Sequence, residues 1–411
     1  MLMSGFLSVK YPFKFRQQKK YYGSLPCIII DSTEMKNVIF FIGSLQAGGT
    51  EAKLARNFLP HLKQRGNVNP KILLLRERGE FLEALPEGIE KLSLNEKANT
   101  NLVQMIPRFR DALVKLKADT VISCMWYPAI IPYLTRKLGL ADFRHIVHDT
   151  VNMTEYIKDH FVHERYRWIK IHLTKKAYCD AEGVIVVSKG EKEDLIKNFG
   201  IPGNQVSVVY NPVNREAIEK LSAEDAGIDF GEPLIVTAGR LVHQKGMDIL
   251  LRAFRKVRDV TASKLLILGS GEKREELVSL AESLNLSEDV IFLGMQMNPF
   301  KFMRKAAVFC LASRYEGLGN VILEAMALGV PVIVTDCPSG PSEIIEGGRY
   351  GILVRPEDPG AIAEALLRVL SDRGLRETLS NLSFERAQDF SLDASLSQWE
   401  EIILGRRRDG R

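Results

Sequence analysis

Apolar and polar positions fall in blocks along the chain. From Asn37 onward, short apolar runs alternate with longer mixed ones. VIFFIG (Val38–Gly43), KILLL (Lys71–Leu75), a short run near Ile89–Leu94, TVISC (Thr120–Cys124), RHIVHD (Arg144–Asp149), GVIVVS (Gly183–Ser188) and VSVVY (Val206–Tyr210) read as buried strands. Helices are predicted between them. One opens at Gly48-Gly49-Thr50-Glu51 and runs to about Gln64, a second covers Leu102–Lys117, a long basic one covers Thr154–Tyr178, and a Lys/Glu-rich one follows Ser188. Strands that alternate with helices imply parallel sheet.

A polar stretch with little strand signal, Glu219–Gly231, separates this series from a second one. There PLIVTAG precedes a helix after Gly246, KLLILG precedes a helix from Lys273, and VIFLG precedes a helix over Pro299–Ala306. The unit Val308–Ile345, then GILVR (Gly351–Arg355), helices from Pro359 to Gln388 and an amphipathic helix over Leu392–Leu404 with Trp399 complete it. The expected architecture is α/β: two doubly wound, Rossmann-like parallel-sheet domains facing a cleft. Their expected bounds are 36–212 and 213–390, flanked by an extension over 1–35 and a final helix with a basic tail over 391–411. Ligand is expected at the carboxyl ends of the strands.

A length of 411 residues fits two or three domains. The net charge of +5 is spread along the chain, which gives no basic patch for nucleic acid. Five cysteines without a CxxC pair read as reduced thiols of a cytosolic protein. The longest apolar run, Val121–Leu134, is broken by Ser123, Pro128 and Pro132, so no transmembrane helix is expected. Near the start, Lys10, Lys14, Arg16, Lys19 and Lys20 alternate with Tyr11, Phe13, Phe15, Tyr21 and Tyr22, and no acid appears before Asp31. This stretch reads either as a membrane-surface segment or as an extension outside the fold. Met35, directly before the first strand, favours the second.

Candidate chemistry concentrates in Val308–Ile345. An apolar strand breaks at Arg314-Tyr315-Glu316-Gly317, Asn320 stands where a helix would be capped, and a second strand follows from Pro331. Glu316 lies in the loop and Glu324 on the helix, with seven residues between them. Gly319 keeps the loop open to a ligand, and the helix N-terminus favours an anion there. A plain strand–helix–strand with two solvated acids is the alternative. Earlier, Arg240 and Lys245 stand five residues apart at a strand end and helix start, as a pyrophosphate requires; taken alone they read equally as surface cations. Gly269-Ser270-Gly271 is a tight turn that meets neither a dinucleotide fingerprint nor a P-loop. Gly48 and Gly49 form a second phosphate-approach loop, and His148 ends a strand at the cleft. His160 and His163 share a helix face without a third metal ligand, and no Asp-x-Asp pair occurs to hold a metal on a diphosphate.

Jointly, Glu316 with Glu324, Gly239-Arg240-Leu241 with Lys245-Gly246, Gly48-Gly49-Thr50-Glu51 and Asn211-Pro212-Val213 resemble the retaining glycosyltransferases of family 4, with the GT-B fold. The resemblance covers about 36–404. Thr335-Asp336-Cys337-Pro338-Ser339-Gly340-Pro341 with Glu343 is similar to the bacterial members that build cell-surface polysaccharide, lipopolysaccharide or lipid-linked oligosaccharide. The resemblance implies an acceptor-side first domain and a donor-binding second one. It implies that Arg240 and Lys245 hold the donor diphosphate and that Glu324 binds ribose. Glu316 would face the transferred sugar together with Gly317, Leu318, Gly319 and Asn320, Gly48 and Gly49 would approach from the other side, and His148 would lie near the donor sugar. Leu318 stands where the family usually carries Phe, which puts sugar choice in doubt. The final helix would cross back onto the first domain.

The implied reaction is transfer of a hexose or N-acetylhexosamine from a nucleotide diphosphate sugar, UDP-linked, to a glycan or lipid-linked hydroxyl. It proceeds with retention and with neither metal nor cofactor. The basic helix Thr154–Tyr178, with Phe161, Tyr166 and Trp168 among its cations, suits an anionic membrane face, so the expected location is cytoplasmic and peripheral on the inner face of the membrane. A solvated basic face is the alternative. Two further readings stay open: a nucleotide-sugar 2-epimerase on the same scaffold, and a non-catalytic partner that only binds nucleotide.

Overall fold

The computed structural model describes residues 35–45, 54, 58–79, 81–83, 85, 87–95, 102–161, 166–228 and 231–405. From Met35 onward they belong to one compact unit. The first series of apolar runs forms β1 (Lys36–Ile42), β2 (Val68–Leu74), β3 (Lys91–Ser93), β4 (Thr120–Cys124), β5 (Arg144–His148), β6 (Gly183–Val186) and β7 (Val206–Val208). They make a seven-stranded sheet in the order β3-β2-β1-β4-β5-β6-β7. The second series forms β8 (Leu234–Ala238), β9 (Lys264–Leu268), β10 (Val290–Gly294), β11 (Val308–Leu311), β12 (Val332–Thr335) and β13 (Ile352–Val354), a six-stranded sheet in the order β10-β9-β8-β11-β12-β13. The paired strands run parallel. Central strands such as Val38–Phe41 and Ile235–Thr237 are fully buried, because helices cover both faces.

In the first half the described helices are α1 (Leu59–Arg65), α2 (Leu102–Leu116), α3 (Trp126–Lys137), α4 (Met153–His160), α5 (Arg167–Asp180) and α6 (Lys189–Phe199). In the second half they are α7 (Arg215–Ser222), α8 (Met247–Arg258), α9 (Arg274–Ser283), α10 (Phe300–Met303), α11 (Asn320–Ala327), α12 (Pro341–Ile344), α13 (Pro359–Ser371) and α14 (Arg373–Arg386), with α15 (Leu392–Leu404) last. In each sheet the strand order reverses once, between β1 and β4 and between β8 and β11. A reversal splays the loops on its two sides and leaves a crevice at the carboxyl ends. The loops after β8 and β11 therefore share one crevice edge.

Helix α15 returns to the first sheet, as expected of the GT-B arrangement. Trp399 stands edge-on to Phe58 at 5.0 Å and to His148 at 4.8 Å, and lies 6.3 Å from Phe40. Arg65 of α1 binds Asp393 and Glu400 at 3.0 and 3.1 Å. Val213 bridges Ser391, so the two chain segments that join the halves lie side by side.

Several local expectations are corrected. The run Val121–Leu134 is a strand followed by α3, because Pro128 occupies the first helical turn, where its absent N–H is not needed. The long basic helix is two helices. Asn152 caps α4 by accepting from Glu155 N at 3.0 Å, the helix ends at Phe161, and α5 starts after Tyr166. The polar stretch Glu219–Gly231 holds no strand among its described residues, in line with its weak strand signal, and α7, capped by Asn214, runs into its start. Helix α11 is capped by Gly319, whose φ of 88° starts the helix, and not by Asn320. The extension over 1–34, the tail over 406–411, His163, and Gly48 and Gly49 lie outside the described residues.

Candidate active site

The loop after β8 turns through Gly239 and Arg240 into a 3-10 turn, His243–Lys245, and Gly246 opens α8. Gly246 has a φ of 60°, and a Cβ there would lie 2.0 Å from the Ala312 carbonyl oxygen. Only glycine lets the start of α8 rest on the end of β11. This contact brings Lys245 to Glu316. Lys245 Nζ lies 2.5 Å from Glu316 Oε1, and Ser313 Oγ donates to the same oxygen at 2.6 Å. The Glu316 side chain is 6% exposed and that of Lys245 13%, so the solvated-acid alternative is excluded for Glu316. A buried carboxylate needs such partners, because desolvation alone would remove its charge.

Gln244 laces the two loops together. Its carbonyl accepts from Arg314 N at 2.8 Å, its Nε2 donates to Tyr315 O at 3.0 Å, and its Oε1 accepts from Arg240 at 3.4 Å. Arg314 grips Asp248 of α8 through two bonds of 2.8 Å. Burial pushes the Asp248 carboxyl up, but these bonds more than offset it and hold it below the usual range. Arg240 is exposed at the rim. Glu324 sits on the half-buried face of α11 with Val321 and Leu328. Leu318 is 2% exposed and packs in the apolar core beside β11. Asn320 Oδ1 accepts from Asn211 Nδ2 at 3.0 Å, which ties the joining segment to the start of α11.

The first half closes over this edge. A Cβ on Gly317 would lie 2.0 Å from Thr150 O and 2.5 Å from Glu191 Oε1, so the loop after β11 rests directly on backbone after β5. Glu343 of α12 accepts from Lys189 N and Gly190 N, at 2.9 and 2.8 Å, and from Tyr210 at 2.9 Å. Its carboxylate caps the positive end of α6. Asn152 Nδ2 donates to Ser339 Oγ at 3.0 Å. Asp159 of α4 accepts from Tyr315 at 2.7 Å and lies 3.1 Å from His243 Nδ1.

Beneath the contact lie buried acids. Asp149 is pushed up to about 6 by burial, against the pull of Tyr178. Burial and Asp149 push Glu191 well above the carboxylate range, and its Oε1 has no partner among the described residues. His148 is 3% exposed. Burial lowers it to about 4, so it is neutral at neutral pH, and neither ring nitrogen is partnered among the described residues. Met125, next to it at the end of β4, holds a φ of 75°, a strained value for a side chain of that size at a crevice edge.

The structure thus joins Lys245 to Glu316, places Arg240, Gly317, Gly319 and Asn320 around them, and sets Glu324 on the adjoining helix. Leu318 is a core residue, and His148 is packed under Trp399. Gln244, Ser313 and Asp159 were missed from sequence, and Glu343 was singled out for its motif but not for its contact with α6. Only the QKG and SRYEG strings hint at the first two, and nothing local marks Asp159.

Two family models match the chain: glycosyl transferases group 1 over residues 219–386 and glycosyltransferase family 4 over residues 48–217. The chain is 29% identical over 363 residues to the N-acetylgalactosamine-N,N'-diacetylbacillosaminyl-diphospho-undecaprenol 4-alpha-N-acetylgalactosaminyltransferase of Campylobacter jejuni, covering 87% of this chain and 96% of that one. It is 32% identical over 275 residues to an uncharacterized glycosyltransferase of Methanocaldococcus jannaschii, covering 58% of this chain and 68% of that one. Among solved structures, Anabaena HepE in complex with UDP and glucose superposes with a TM-score of 0.74 at 19% identity, over 90% of this chain and all of that one. That last likeness shows the fold.

Proposed function

We propose that this chain, which belongs to the group 1 and family 4 glycosyltransferases, moves a hexose or N-acetylhexosamine from a UDP-sugar to a hydroxyl of a glycan or lipid-linked acceptor, with retention and in cell-surface polysaccharide assembly. The observation that carries the reading is the buried Lys245–Glu316 pair at the crevice where β8 and β11 diverge. The Campylobacter relative's name, which specifies a diphospho-undecaprenol acceptor, supports the acceptor class. The UDP and glucose in the Anabaena structure support the donor class.

In this reading Lys245 and Arg240 meet the diphosphate, with the first-turn amides of α11 donating to it. Glu324 takes the ribose hydroxyls. Glu316, oriented by Ser313, takes sugar hydroxyls beside the Gly317 and Gly319 amides, with His148 on the side of the first half. The anomeric C–O bond to the β-phosphate breaks through an oxocarbenium-like state. The acceptor oxygen bonds to the same face, and its proton passes to the departing phosphate oxygen. Fixed positive charge on that phosphate is the main device, with one such donor worth about 2.7–4 kcal/mol. The chemistry asks for no metal.

Location follows from the same reading. Among the described residues no helix is long and apolar enough to cross a membrane. Helix α5 exposes Arg167, Trp168, His172, Lys175 and Lys176, a composition suited to anionic lipid, so the protein would sit peripherally on the cytoplasmic face.

The test is donor screening followed by substitution. One of a set of UDP-, GDP- and ADP-sugars should raise the melting temperature, because a ligand of the folded state stabilises it by mass action. With that donor and a polyprenyl-diphosphate-linked sugar as acceptor, Arg240→Ala and Lys245→Ala should each lose about 100-fold or more in turnover. Near-wild-type turnover in both would sink the phosphate assignment. A new nucleotide sugar formed without acceptor would point to an epimerase.

A further inference from the structure

The segments that join the two halves lie together at Val213 and Ser391, and the Glu343–Tyr210 and Asn320–Asn211 contacts adjoin them. Contacts away from these segments also join the halves, among them Glu343 with Lys189 N and Gly190 N and those of helix α4. Helix α4 reaches from the first half to the second at both of its ends. At its N-terminus, Asn152 both caps the helix and donates to Ser339. At its last turn, the two oxygens of Asp159 divide between Tyr315, at 2.7 Å, and His243, at 3.1 Å. Tyr315 precedes Glu316, and His243 stands two residues before Lys245. One carboxylate of the first half therefore touches each of the loops that carry the buried ion pair of the second half. Tyr315 is 3% exposed, so its hydroxyl has little access to water as a substitute partner.

We propose that Asp159 is a positioning residue: it holds the Glu316 and Lys245 loops, already laced together by Gln244, against the first half, so that donor and acceptor groups meet. Asp159 does not itself touch the reacting atoms. Its carboxylate suits this work because an ionised acceptor can take a hydrogen bond on each oxygen at once. The activity arm of the test rests on the glycosyl-transfer reading; the shape arm does not.

The experiment compares Asp159→Ala, Tyr315→Phe, their double variant and Asp159→Asn in the full chain. Tyr315→Phe keeps the ring packing and removes only the hydroxyl, so it stands in if Asp159→Ala does not fold. Each of the first two should raise donor KM and lower kcat/KM about 10- to 100-fold, as expected of a misplacement on the order of 1 Å. The double variant should match the worse single one, because both break one linkage. Asp159→Asn keeps an acceptor for Tyr315 and a polar group for His243, and should stay close to wild type. Small-angle scattering should show a larger radius of gyration for Asp159→Ala and Tyr315→Phe than for wild type. Multiplying effects in the double variant, or unchanged scattering in both single variants, would overturn the proposal. If wild type transfers no sugar to any acceptor, the scattering comparison still decides the role of Asp159.

Discussion

Gly317→Ala isolates how closely the two halves must approach. The added Cβ would lie 2.0 Å from the Thr150 carbonyl oxygen, whereas real Cβ contacts essentially never fall under 3.0 Å. The neighbour is backbone at the end of a buried strand and cannot rotate away. The loop after β11 must therefore withdraw by about 1 Å, the shortfall between those two distances. Gly317 does not hold a left-handed φ, so alanine is acceptable to the local backbone and the effect is one of space alone. Overpacking of this kind costs about 1–3 kcal/mol. Glu316 precedes Gly317 and moves with it, which pulls its carboxylate from Lys245 and, on the proposed function, from the transferred sugar. A displacement of about 1 Å at a reacting centre costs about 100-fold.

The expected result is a fall of about 100-fold in kcat/KM with a lowered melting temperature. Gly183→Ala is the control: nothing lies within 4 Å of its Cβ position and its φ is not left-handed. It should leave both quantities near wild type. A kcat/KM within twofold of wild type for Gly317→Ala, at unchanged melting temperature, would refute the claim that this contact sets the site.

Two other outcomes follow from the same geometry. Glu191 has a folded-state pKa well above its ordinary value, through burial first and Asp149 next, so the folded chain holds its proton where the unfolded chain releases it. The stability it contributes is full below the ordinary carboxylate pKa and is lost as pH rises toward the raised value. Glu191→Gln mimics the protonated form and keeps an acceptor for Val187 N, so its melting temperature should gain on wild type steadily from pH 5 to pH 8. A difference that does not vary with pH would contradict this assignment. On helix α5, Trp168 is 68% exposed beside Lys175 and Lys176. With about 1 kcal/mol per cation near an anionic surface, Lys175→Ala with Lys176→Ala should lower co-sedimentation with phosphatidylglycerol vesicles about 30-fold. Wild-type binding without preference for anionic over neutral vesicles would end the membrane reading.

The strands were legible because a parallel sheet covered on both faces writes itself as short, nearly continuous apolar runs, and Val38–Ile42, Lys264–Leu268 and Val332–Thr335 are such runs. That Lys245 and Glu316 line one wall was legible from their places at strand ends of the same series, whereas their direct pairing was not, because it depends on β8 and β11 being neighbours. Helix α3 was hidden because proline was read as a break, although Pro128 sits where a helix tolerates it. Helices α4 and α5 were merged because the basic residues run across Phe161 without interruption, and only the Asn152–Glu155 pair marks a start. The contacts of Asp159 and Glu343 were illegible for a different reason: Asp159 meets Tyr315 and Glu343 meets Gly190, each more than 100 positions distant, so even Glu343, singled out for its motif, gave no sign of its partner. Glu191 left a local trace, three residues after the capping Ser188 and accepting from Val187 N, but nothing in that spacing told of its burial beside Asp149.

That last group bears on what the buried pair means. A Lys–Glu pair this enclosed stabilises a fold weakly, since its attraction does little more than offset the loss of hydration. Packing already holds the β8 and β11 loops together through Gly246 and Gln244, so the pair is not required to join them. In the proposed transfer, the same two charges become useful when a diphosphate and a sugar enter. Lys245 then has a second anion to satisfy, Glu316 has hydroxyls to accept from, and neither needs to leave its place. Ser313 keeps Glu316 oriented while Lys245 is shared. On the proposed function the pair is thus a preset arrangement of charge whose cost is met during folding rather than during the reaction, and on the proposal for Asp159 its contact and that of Gly317 with the first half set whether an acceptor meets it.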